Sequence, residues 1–207
     1  MKKAAIAIVL GVLFISSSAW AQYGYSYEKP EHKVEIIPMY GYVWTVGQST
    51  TYSGYSGDVD IKSSGFWGIA VDIPAKPGLA VRLLYRRQDS EVTFKWPGDS
   101  QTFPDFGVEY WHVGGVGGVT KGNVTPYTSL SLGTTRYIAG GEDDYKFSII
   151  LSLGAKVMIN EKIGLMVAGQ MPWTFTDAFL GIGTGGLSFG GTGVIQLDVV
   201  GGLIIAL

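Results

Sequence analysis

Cysteine is absent from the 207 residues, so no disulfide framework and no thiolate metal site holds this chain together. Histidine is scarce: His32 and His112 are the only two. Charged residues make up 15% of the sequence, against roughly 25% in an average soluble domain, and mean hydropathy is positive. Basic residues are not in excess, with 15 Lys and Arg against 17 Asp and Glu, which removes the electrostatic footprint of a nucleic-acid binder. Past residue 21 no apolar run is long enough to cross a bilayer as a helix. The chain is too greasy for an ordinary soluble domain and lacks the runs of a helical membrane protein.

The N-terminus supplies the compartment. "MKKAAIAIVLGVLFISSSAWAQ" has Lys2 and Lys3, an apolar stretch from Ala4 to Ile15, and the small-x-small triplet Ala19-Trp20-Ala21. That layout predicts a secretory signal peptide over residues 1–21, cleaved after Ala21, with an apolar core shorter than a bilayer span. No cysteine follows it, so a lipid-anchored lipoprotein is excluded. Residues 22–32 read as a polar periplasmic segment. The remaining chain, 33–207, is expected to form a single domain.

Within that domain, segments of alternating polarity recur. The last, "VIQLDVVGGLIIAL" over 194–207, separates into Ile195, Leu197, Val199, Gly201, Leu203, Ile205 and Leu207 on one face and Gln196, Asp198, Val200, Gly202, Ile204 and Ala206 on the other. Side chains of a strand alternate between faces, so Asp198 belongs to a face distinct from the unbroken apolar one. Seven more segments show the pattern: 33–46, 58–73, one beginning at Leu79, 108–119, 124–138, 145–159 and 162–175. Their connections also alternate. "PAKPG", "KGN" and "NEK" are tight, whereas "GQSTTYSGYSG", the stretch around "WPGDSQTFPD", "AGGEDD" and "TDAFLGIGTGGLSFGG" are long. Brief turns at one end and large loops at the other are the mark of outer-membrane barrels. Hydrocarbon offers backbone amides no partner, so strands can span it only as a closed sheet. The fold expected is all-β: an eight-stranded antiparallel up-and-down transmembrane β-barrel, integral to the bacterial outer membrane after Sec-type export.

From Lys33 to Leu207 the chain resembles the small outer-membrane β-barrel proteins of Gram-negative bacteria, of the opacity and OmpA-barrel type. The resemblance rests on the signal peptide, on "VEIIPMYGYVW" as an opening strand, on "NVTPYTSLSLGTTRY" after a short turn, and on the apolar last strand. In that family the last strand carries an assembly signal, often ending in an aromatic residue. Here Gly202, Ile205 and Leu207 stand at its spacing, with leucine in the terminal place. The partners it implies are the barrel assembly machinery, outer-membrane lipid and lipopolysaccharide.

Three motifs invite chemistry and carry little of it. "GIGTGG", with Gly181, Gly183 and Gly186, has dinucleotide-binding spacing but lies between strands with no helix to aim amides at a phosphate. The loop acids Asp58, Asp60, Glu142, Asp143 and Asp144 could gather a hard cation, although acidic loop tips usually serve only to solvate. A lipid A-modifying barrel enzyme would need a serine and an orienting acid beside a histidine. His112 is followed by Val113 and Gly114, so no catalytic triad is evident. No catalytic residue, cofactor or metal site is expected.

The inward polar set carries the content. Glu35, Asp72, Arg82 and Lys156 should lie low in the barrel, and Lys62, Arg86, Gln170, Gln196 and Asp198 higher, with His112 also turned inward. An eight-stranded interior is just wide enough for its own side chains, so these charges must pair or keep water. The pairs expected are Arg82 with Asp72 or Glu35, and Arg86 with Asp198; the alternative is a short wet chain of unpaired groups. Outward aromatics at Trp44, Tyr85, Trp111, Tyr145, Phe147 and Trp173 should form a girdle at the long-loop end, where amphipathic rings settle at headgroup depth; Trp67 falls lower and fits it loosely. The role expected is non-enzymatic, structural or surface-interacting through the external loops, over a plugged lumen. A narrow channel, or a lateral path for small hydrophobic molecules, is the alternative.

Overall fold

The computed structural model describes residues 33–45, 48–52, 55–96, 99–139, 142–175, 179–183, 186–190 and 193–207. The expected signal peptide over 1–21 and the segment 22–32 lie outside the described residues. Twelve strands are described: β1 (Glu35–Thr45), β2 (Gln48–Tyr52), β3 (Tyr55–Ile61), β4 (Ser64–Lys76), β5 (Leu79–Trp96), β6 (Asp99–Gly118), β7 (Val124–Ala139), β8 (Glu142–Met158), β9 (Ile163–Phe175), β10 (Phe179–Gly183), β11 (Gly186–Gly190) and β12 (Gly193–Ala206). Eight of them, in the order β1-β4-β5-β6-β7-β8-β9-β12, pair antiparallel with their neighbours, and β12 returns to pair with β1. The sheet has no seam.

The stagger follows from the register. Glu35 stands opposite Asp72, then Arg82, Gly114, Ser131, Ile150 and Pro172 on successive strands. The same line passes Gln196 and re-enters β1 at Thr45, ten residues beyond its start. That shear tilts the strands and sets a bore that side chains can fill.

The short turns are built as their sequences dictate. Gly78 and Gly122 take positive φ, which side-chain-bearing residues rarely adopt. Asn160 Oδ1 accepts the backbone N–H groups of Lys162 and Ile163, so "NEK" closes as an Asx turn.

The opposite end differs from the reading of long loops. Strands β5 to β8 run 18, 20, 16 and 17 residues, against 11 to 14 in β1, β4, β9 and β12. Much of the described connecting sequence is therefore strand: residues 99–105 and 142–144 extend the wall. "STTYSGYSG" contributes to the hairpin β2–β3, whose second strand joins β5. Gly181, Gly183 and Gly186 lie in a separate two-stranded sheet, β10–β11. The expected strand 58–73 is interrupted at Lys62 and Ser63. On one side of the break β3 pairs with the upper part of β5, and on the other β4 enters the barrel wall.

Alternation sorts the surface. Val167, Leu165, Val199, Leu197, Leu203, Leu83, Val113 and Leu130 are exposed on the outer wall, while Ile37, Val43, Ala70, Val108, Ile150, Val200 and Ile204 are buried in the bore. Arg82, Arg86, Asp72 and Asp198 are buried there with them. Among the described residues no helix is long and apolar enough to cross a membrane.

Candidate functional site

The bore is crossed by two polar tiers. The lower lies a few residues from the short turns. Arg82, early in β5, grips Asp72 of β4 with two hydrogen bonds, Nε to Oδ1 and Nη2 to Oδ2, both 2.7 Å. Lys156 of β8 donates to the same Asp72 at 2.7 Å and to Glu35 of β1. Both cations lie over the ring of Tyr127, at 5.3 and 5.7 Å from its centroid. Two positive and two negative side chains from four strands thus form one neutral knot. Bidentate geometry makes the Arg82–Asp72 pair the stronger member.

The upper tier centres on Arg86, two inward positions beyond Arg82 along β5. It is 0% exposed, with Nη1 2.6 Å from Asp198 Oδ2 and 3.2 Å from Gln170 Oε1. Its guanidinium is sandwiched between Phe66 at 4.2 Å and Tyr110 at 4.5 Å, so ring faces replace part of the lost hydration. Tyr110 donates to Gln196 at 2.6 Å, and Gln196 donates through Gln88 toward Ser64 near the upper rim. Sequence reasoning did not name Gln88 or Phe66. Both share the phase of Arg82 and Arg86 or of Asp72, so alternation continued along β4 and β5 points to them.

Lys62 does not join either tier, and its placement corrects the expectation. Its side chain is 64% exposed and pairs with Glu91 at 3.1 Å. The interruption of β3 and β4 at Lys62–Ser63 takes it out of the wall, so inward parity no longer applies.

His112 is buried in the bore, and its Nε2 stands 2.8 Å from Ser148 Oγ of β8. The serine missing from its sequence neighbourhood is therefore supplied from β8, over Gly133 of the intervening β7, a pairing no local reading finds. Both groups are sealed, Ser148 at 0% and His112 at 6% exposure. Among the described residues no carboxylate bonds to His112 Nδ1 to orient the pair. Among the described residues no group of three His, Asp or Glu side chains could hold a metal. Of the loop acids, Asp143 is held by Arg136 and Asp144 by Lys146.

On the outside, the aromatics fall into rows. Trp67 meets Tyr85 edge-on at 5.6 Å and Tyr85 meets Trp111 at 4.4 Å, so Trp67 sits in the row it was expected to fit only loosely. Trp173 stacks on Phe175 at 4.8 Å, Phe175 contacts Phe147 at 5.8 Å, and Trp44 meets Tyr42 at 5.2 Å. Tyr145 lies apart, beneath the guanidinium of Arg136. One register step beyond Tyr85 and Trp111, a charged ladder crosses the outer wall from Asp89 through Arg87, Glu109 and Arg136 to Asp143. It marks where the apolar belt ends. On the last strand Ile205 and Leu207 point outward, whereas Gly202 faces the bore, where a Cβ would come within 2.9 Å of Ile37.

A closed sheet with an apolar outer belt and charges locked inside is the architecture of an integral outer-membrane protein. No family model matches the chain, and no curated protein does. Solved structures do match it. The crystal structure of Neisserial surface protein A covers 84% of this chain and 96% of its own, at 14% identity and a TM-score of 0.53. That of the outer membrane protein OprG from Pseudomonas aeruginosa covers 85% of this chain and 94% of its own, at 12% identity and a TM-score of 0.57. At such identities what this chain shares with them is the fold, that of small outer-membrane barrels.

Proposed function

We propose that this chain is a non-enzymatic barrel with a closed lumen, acting at the cell surface through the elements that rise above the membrane. The observation that carries the reading is the pair of stacked polar tiers. Arg82, Asp72, Arg86 and Asp198 are each at most 3% exposed, and their hydrogen-bond partners come from β4, β5, β8, β9 and β12. A solute would have to break buried, charge-assisted hydrogen bonds at two successive levels. With transport unsupported, the chemistry left for recognition lies in the raised wall of β5 to β8 and the hairpins β2–β3 and β10–β11. External loops are where function resides on such scaffolds. Of the similar structures, one is of a surface protein and the other of an outer membrane protein. In this reading lipid and lipopolysaccharide surround the belt. The outer rings at Trp44, Tyr85, Trp111, Tyr145, Phe147 and Trp173 sit at headgroup depth, and the C-terminal strand with Ile205 and Leu207 engages the assembly machinery.

Reconstitution in planar bilayers tests the closed lumen. The expected trace is silent at moderate voltage, and a steady, reproducible open level would overturn the proposal. Protease shaving of intact cells should cut the β2–β3 and β10–β11 regions and spare the turns at Gly78, Gly122 and Asn160.

A further inference from the structure

The glycines of the wall differ in what an added Cβ would meet. Those facing the bore have no room: at Gly68, Gly114, Gly133 and Gly154 the nearest atom would be a backbone oxygen 2.0–2.5 Å away. Those facing outward at Gly115, Gly169 and Gly201 meet nothing closer than 3.9 Å, and none has a positive φ. Glycine in a strand costs stability, and neither the wall nor the backbone requires it at these outward places. Gly169 is distinguished from Gly115 by its surroundings. It lies in an apolar groove of about 430 Å³ lined by Trp44, Leu151, Leu153, Met171, Leu197 and Val199. Leu153, directly opposite Gly169 in the register, stands out as a ridge at 72% exposure. Val199 bounds the other side.

We infer that this groove is a seat for one acyl chain of a membrane lipid, on the leaflet of the long-loop end. The inference rests on reading the outer wall as lipid-facing. The groove lies within that belt and the outward side chains lining it are apolar, so hydrocarbon is the occupant it fits. Trp44 stands at its upper end, at the depth where a headgroup begins. Filling the depression restores the dispersion contacts that a bare glycine backbone forfeits. A chain lodged between Leu153 and Val199 would be held longer than the surrounding annulus.

The test is retention of dimyristoyl phosphatidylcholine by the full-length mature barrel in detergent, read by native mass spectrometry. One lipid per chain is expected to survive dilution that strips the rest. Gly169→Leu, whose side chain projects into open space and leaves the bore untouched, should lower retention at least tenfold. Gly115→Leu, an equally open glycine outside the groove, should leave it unchanged. Heat-modifiable migration reports that both variants fold, and Leu153→Ala, which removes the ridge, serves if Gly169→Leu does not. No retained lipid in the native chain, or equal loss in both glycine variants, would overturn the inference. So would a two-chain assembly that Gly169→Leu abolishes, since the occupant would then be a second copy. Planar-bilayer conductance is unaffected by this variant, so an open lumen and an empty groove are distinguishable failures.

Discussion

Asp198→Ala is the sharpest perturbation of the upper tier. It removes the only described carboxylate bonded to Arg86, which is 0% exposed and 2.6 Å from it. Leaving a buried charge without its partner costs about 3–5 kcal/mol. Gln170 Oε1 at 3.2 Å and the rings of Phe66 and Tyr110 remain, and cation–π contacts of desolvated groups contribute about 2 kcal/mol. The expected loss therefore sits near the lower end, about 3 kcal/mol, on the order of a 150-fold change in the folding equilibrium. Replacing both partners with apolar groups, Arg86→Met with Asp198→Leu, should return stability to within about 1 kcal/mol of the native chain, because no buried charge is left unpaired. Urea unfolding in lipid vesicles, followed by tryptophan fluorescence and heat-modifiable migration, measures both. A single variant costing under about 1 kcal/mol, or a double variant no more stable than the single, would refute the tier as a desolvated ion pair.

Three further outcomes are expected. Gly133→Ala places a Cβ 2.0 Å from the Trp111 carbonyl oxygen and should destabilise by about 1–3 kcal/mol, whereas Gly115→Ala, with nothing within 4 Å, should be neutral or stabilising in the same urea titration. Lys156→Met leaves Asp72 its bidentate Arg82 and leaves Glu35, 24% exposed, able to take water. Its cost in that titration should be about 1–3 kcal/mol, smaller than that of Asp72→Ala. Ile205→Lys sits near the interface, where a lipid-facing charge costs at most about 1 kcal/mol. It should scarcely alter refolding into pure lipid yet should lower the folded barrel recovered from cells, and equal losses in both settings would argue against an assembly signal.

Period-two alternation is a local property, and so it was readable along the chain. It put Arg82, Arg86, Gln170, Gln196 and Asp198 on one face and Leu197, Leu203 and Trp111 on the other. Closure followed from chemistry, since an apolar outer face in lipid tolerates no unpaired edge. What alternation cannot carry is a break in phase or a contact between side chains of different strands. Lys62 was misassigned because the interruption at Lys62–Ser63 is set by how β3 and β4 both register on β5, a pairing between segments some thirty residues apart. His112 and Ser148 meet across 36 residues, Arg86 and Asp198 across 112, and Lys156 and Glu35 across 121.

The amino-acid sequence by itself determined which side chains face oil and which face the axis, because that depends only on parity within a strand. Tertiary structure alone decided which of the axial groups touch, since a ten-residue stagger around eight strands fixes the height of every side chain. It also decided that the long connections become wall and hairpin, because their backbone groups find partners only once neighbouring strands rise beside them.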